Sequence, residues 1–112
     1  MSQAVLRIEV LPAGALDAAA VFHAKWRAEA QSLLAGGDAL VIVMPPAAYD
    51  HSDWRRAAAR DLARAVDPKR ANVVAGDDER AIDASLAYLA SAPGVTGQYL
   101  PLDGHGAGDP LD

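Results

Sequence analysis

Two hydrophobic periods alternate along this chain. From Ala4 to Val10 (AVLRIEV), Leu6, Ile8 and Val10 fall on one side and Arg7 and Glu9 on the other, the period-two pattern of a strand with one wet face. Pro12 and Gly14 end it. From Leu16 to Leu34 the period lengthens: Leu16, Ala20, Phe22, His23, Trp26, Ala30, Leu33 and Leu34 recur at helical spacings, with Lys25, Arg27 and Glu29 among them. This predicts a long helix, stopped by Gly36 and Gly37. Ala39 to Met44 (ALVIVM) is apolar at every position, as a strand buried on both faces of a parallel sheet must be.

After Pro45 and Pro46, a second helix is expected from Asp53 to just before Pro68, with Trp54, Ala57, Ala58, Asp61, Leu62 and Ala65 along one side. Ser52 or Asp53 is its N-cap candidate. Ala71 to Gly76 reads as a third strand, and Asp77, Asp78 and Glu79 bring negative charge to the start of a third helix that ends near Ser91. That helix should bury Ile82, Ser85, Leu86 and Leu89. Gly97 to Asp103 is the fourth strand, demoted to a sheet edge by Pro101. Residues 105–112 (HGAGDPLD) read as a disordered acidic tail. The order βαβαβαβ predicts one α/β, Rossmann-like domain over residues 1–104. Its sheet should have four parallel strands in the order 1-2-3-4 with three crossover helices.

Composition narrows the function classes. A chain of 112 residues has room for one core and buries roughly two-thirds of its unfolded surface. It has no cysteine, which removes disulfides and thiolate chemistry and fits a cytoplasmic setting. No charged opening followed by a long apolar run marks a secretory signal, and the apolar run from Ala39 to Ala48 is too short for a bilayer. No membrane role is expected. A net charge of −5 and a pI near 5 weigh against nucleic-acid binding, which needs clustered Lys and Arg.

One polar cluster could carry chemistry. Tyr49, His51, Ser52 and Asp53 follow a central strand, at the end where α/β sheets place their ligands, and His51 could act there as an acid or base near neutral pH. A turn followed by a helix cap accounts for the same residues and is the weightier reading. His23, set among apolar neighbours, suits an interior or interface position. Arg56, Arg60 and Arg64, beside Arg55, form a basic stripe best read as a solvated face paired with Asp53, Asp61 and Asp67. Three scattered histidines, His23, His51 and His105, make no metal set.

Three segments in sequence carry a resemblance. Arg70-Ala71-Asn72-Val73-Val74-Ala75-Gly76, Ala84 to Pro93, and Val95-Thr96-Gly97-Gln98-Tyr99-Leu100-Pro101-Leu102-Asp103-Gly104 are similar to the sixth strand, last helix and last strand of short-chain dehydrogenase/reductases. The resemblance is clear over somewhat less than half the chain, from Leu62 to Gly104, and upstream rests on element order, with the first strand and long helix standing for the family's fourth pair. It implies the C-terminal half of the family's fold without its reactive residues. The family's catalytic tyrosine and lysine stand four apart, whereas Tyr49 is followed by Asp53. Pro45 or Pro46 meets the position of its serine. Pro12-Ala13-Gly14 does not make its glycine-rich phosphate cradle, and Gly76-Asp77-Asp78 replaces its Pro-Gly turn with carboxylates that repel phosphate. No cofactor is therefore expected.

Four strands with three helices leave apolar surface in need of cover, and the resembled family pairs its subunits through the helices retained here. The expectation is a non-catalytic dehydrogenase-like domain that forms a homo-oligomer or docks onto a related full-length reductase, with Phe22, Trp26 and Trp54 at the contact. The alternative is a small enzyme or ligand-binding module using Tyr49, His51 and Asp53. The third helix poses a separate question, since right-handed crossovers would put all three helices on one face. The resemblance implies the opposite face for the last one, where it should cover Val41 or Val43 and Val73.

Overall fold

The computed structural model describes residues 3–102; the segment expected to form the acidic tail lies outside them. Four strands, β1 (Gln3–Arg7), β2 (Ala39–Met44), β3 (Arg70–Ala75) and β4 (Tyr99–Pro101), form one parallel sheet in the order β1-β2-β3-β4. Every residue of β2 is buried, as its unbroken apolar run requires of a strand covered on both faces. β4, with Pro101, is an edge. β1 stops at Arg7, although the Ile8 amide still donates to the Val43 carbonyl at 2.8 Å. Val10, expected within it, lies beyond the paired segment and is exposed.

The first helical run is one helix with a widened middle: α1 (Ala15–Val21), a π-helical segment (Phe22–Trp26) and α2 (Arg27–Ala35). Its inner stripe is Ala18, Phe22, Trp26, Ala30 and Leu34, spaced by four residues at each step. In an α-helix such a step advances about 40° around the axis, so an unbroken α-helix would carry the stripe off the sheet. The i→i+5 turn absorbs that drift. Leu16, Ala20, His23 and Leu33, expected on the inner face, are exposed instead.

A short 3₁₀ turn (Tyr49–His51) leads into α3 (Ser52–Val66). The helix begins one residue early, so Ser52 and Asp53 lie inside it and neither caps it. Its buried residues are Arg55, Ala58, Ala59 and Leu62, a stripe rotated from the expected one, which leaves Ala57, Asp61 and Ala65 exposed. α4 (Glu79–Ala90) is capped by Asp78, whose carboxylate accepts from the Arg80 amide at 3.0 Å.

Two cores follow from the alternation of the strands. On the front face, Leu6, Ile8, Leu40, Ile42, Met44, Ala71 and Val73 pack with Phe22, Leu34, Ala58 and Leu62 of α1 to α3. On the back, Val41, Val43 and Val74 pack with Ile82 and Leu89 of α4. α4 therefore covers the opposite face, as the resemblance implied. Val73 is the exception to that expectation. It pairs with Ile42 and shares its front face, so α4 covers Val74 instead. Because β3 to β4 continues across the sheet in the same direction but over the other face, this crossover has the opposite hand to the first two, against the general right-handed rule.

Polar groups fasten α4 to the sheet. The Arg7 guanidinium grips Glu79 through two 2.9 Å bonds, and Gln3 Nε2 donates to the Leu86 carbonyl at 3.1 Å. Arg70 Nη1 donates to the carbonyls of Leu89 (2.9 Å) and Ala92 (3.0 Å), answering the unpaired acceptors at a helix C-terminus. Gly97 has φ +73°, a left-handed turn just before β4 that a side chain would strain.

Truncating Leu89 to alanine should cost about 2–5 kcal/mol, read as a fall in the denaturant midpoint. A loss below about 0.5 kcal/mol, the scale of surface changes, would show that α4 does not bear on the back core.

Candidate functional site

The C-terminal ends of the strands gather Glu9 to Pro12 after β1, Pro45 to Ala48 after β2 and Gly76 to Asp78 after β3. Two cavities share Glu9, Pro45 and Pro46 there. The back one, about 150 Å³, is bordered by Arg7, Asp77 and Glu79. The front one, about 360 Å³, reaches His51 and Arg55.

Tyr49, His51 and Asp53 are not brought together. Tyr49 is 86% exposed. Asp53 points fully into solvent, 4.0 Å from Arg56. His51 is only 3% exposed, and both its ring nitrogens are engaged. Trp54 Nε1, which can only donate, gives its proton to His51 Nδ1 at 3.2 Å, so Nε2 carries the ring proton and donates to the Ala13 carbonyl at 2.9 Å. The imidazole thus ties the loop after β1 to the start of α3, and leaves no lone pair for acid–base work.

Arg55 is the residue the sequence reading misplaced. Grouped with an exposed basic stripe, it is 1% exposed. Its Nη1 donates to the Pro45 carbonyl at 2.9 Å and lies 3.5 Å from the Tyr99 hydroxyl. Its buried Nε has no partner among the described residues. Arg55 sits three, four and seven residues before Ala58, Ala59 and Leu62, on the one buried stripe of α3, but alanines on every side of this helix hid which stripe that was. Arg56 and Arg64 behave as expected, paired with Asp53 and Asp61 at 4.0 and 3.1 Å on the surface.

Of the interface candidates, Phe22 is 2% exposed within its own chain and belongs mainly to the front core. Its ring packs 5.7 Å from that of Trp54, because the π segment turns it onto the sheet. Trp26 and Trp54 are half-buried against the front core, and the Lys25 ammonium lies 4.8 Å from the Trp26 ring centroid.

On the back side, the hydrogen-bonded Glu79 carboxylate raises the pKa of Arg7 above its ordinary value, with Glu9 and Asp83 adding to the effect. The charges there are a closed pair ringed by further acids.

A family model for short chain dehydrogenase-like proteins matches residues 6–102. The chain belongs to that family. No curated protein and no solved structure matches it. A nicotinamide dinucleotide, the group the dehydrogenase fold implies, does not fit the residues here. Asp78 already occupies the amide end of α4 with its own carboxylate, and Glu9, Asp77 and Glu79 line the neighbouring cavity, where a pyrophosphate would meet like charge. Among the described residues of this short chain dehydrogenase-like protein, no cluster of His, Cys, Asp or Glu could hold a metal ion, and no helix is long and apolar enough to cross a membrane.

Calorimetric titration with NAD or NADP should give no submicromolar binding; a dissociation constant in that range would overturn the reading of the acidic turn. Replacing His51 with alanine should destabilise the fold by about 1–3 kcal/mol, the cost of leaving buried partners unpaired, as measured by denaturant unfolding.

Proposed function

We propose that this short chain dehydrogenase-like chain is a non-catalytic domain that acts by pairing with a second copy through the outer surface of its front helices. The supporting observation is a groove of about 270 Å³ between the first helix and α3, with buried Phe22, Ala58 and Leu62 at its base and exposed Arg27, Asp61 and Ala65 on its rims. Rims of opposite charge make the surface self-complementary, although Asp61 is already shared with Arg64 of its own helix at 3.1 Å. A two-fold axis that packs groove edge on groove edge sets Arg27 of each copy toward Asp61 of the other, and an isologous contact gains every favourable pair twice.

The chemistry of the strand ends favours the non-catalytic part of this reading. Asp53 stands four residues after Tyr49, where the dehydrogenase family carries a lysine cation, and the exposed tyrosine makes no side-chain hydrogen bond among the described residues. His51 is committed to Trp54 and Ala13. The helices flanking the groove correspond to those through which the family commonly pairs its subunits. Trp26 and Trp54 also support the core, so truncating them would confuse folding with assembly, whereas Arg27 and Asp61 are exposed.

Sedimentation equilibrium at micromolar concentration should show a dimer. Arg27→Glu and Asp61→Arg should each weaken it about tenfold or more, ~1.4 kcal/mol, and the double variant should recover most of the loss. A monomeric natural chain, or single variants that dimerise normally, would refute the proposal.

A further inference from the structure

The pairing surface leaves Arg55 unexplained. A guanidinium keeps its charge at any pH a protein survives, yet this one is 1% exposed and forms no ion pair among the described residues, where the salt bridges involve Arg7, Arg56 and Arg64. Two neutral oxygens share its Nη1, and Nε has none. The Trp54 ring, 5.5 Å from Cζ, offsets part of the charge, but burial of a cation without a counter-ion is still strongly unfavourable. An anion meeting the guanidinium from a neighbouring cavity would remove that penalty, since a planar fork with donors to spare suits a carboxylate.

Space for such an anion adjoins Arg55. It borders the front cavity of about 360 Å³ at the ends of β1 and β2, within the size range of small-molecule sites. The remaining wall is largely apolar, with Leu11, Pro12, Pro45 and Pro46. Glu9 on the rim sets the charge of the occupant: its carboxylate opposes a dianion such as phosphate more than a monoanion. We propose that this cavity binds a small monocarboxylic acid, its carboxylate held by Arg55 and its apolar body lying against the two proline-containing loops. The site is separate from the pairing groove, and its test does not depend on assembly.

Titration calorimetry of the full chain with hexanoate and benzoate should show binding about tenfold or more tighter than for hexanamide and benzamide, the difference a charge-assisted contact makes. Inorganic phosphate should bind no better than the amides. The Trp54 indole N–H resonance, next to His51, should shift with the carboxylates. Arg55→Met should abolish the preference for acid over amide while keeping the fold, since an apolar replacement of similar volume removes the buried charge. Should Arg55→Met fail to fold, Ala48→Phe, which fills the cavity and leaves the arginine, should block binding. Absence of carboxylate binding at millimolar concentration, equal affinity for acid and amide, a preference for phosphate, or unchanged binding in Arg55→Met or Ala48→Phe would each overturn the assignment.

Discussion

Burial of β2 on both of its faces is the constraint around which the other elements are arranged. Six consecutive apolar residues cannot be satisfied by helices on one side of a sheet, because alternate side chains point in opposite directions. The front face receives the long helix and α3, delivered by crossovers of the usual hand. Among the described residues the back face is covered by α4 alone, and α4 can reach it only through a crossover of the opposite hand. Ile82 and Leu89 against Val41, Val43 and Val74 supply the burial that sustains this uncommon connection. Arg7–Glu79 and Gln3–Leu86 then fix where along the sheet the helix comes to rest.

The same need to hold an apolar stripe on a sheet shapes the first helix. Its inner residues repeat every four positions, and the π segment makes a four-residue repeat compatible with a flat partner. It also decides which aromatic is structural. Phe22 enters the core beside Trp54, and His23, its neighbour in sequence, turns to solvent.

At the strand ends the polar groups divide into two kinds. His51 and Trp54 satisfy each other and the Ala13 carbonyl, a closed network that rigidifies the loop without offering a reactive atom. Arg55 remains open, with more donors than the protein supplies acceptors. Chemistry inherited from the dehydrogenase fold would use a tyrosine and a cation at this end of the sheet. Here the tyrosine is on the surface and the buried cation, Arg55, lies six residues after it in α3.

The fold was legible because its signals are local. The unbroken run of β2, the period-two pattern of β1, the acidic start of α4 and Pro101 in β4 each depend on residues close in sequence, and together they fixed the element order and the strand order. Rotations and registers were not legible. Which of Val73 and Val74 faces α4 depends on the pairing of β3 with β2, and which face of an alanine-rich helix is buried cannot be read from alanines that suit either side. That ambiguity placed Arg55 on the surface in the sequence reading. A buried arginine becomes visible only when the loop after β2 brings the Pro45 carbonyl to it across ten residues, and such a contact is made by tertiary packing alone.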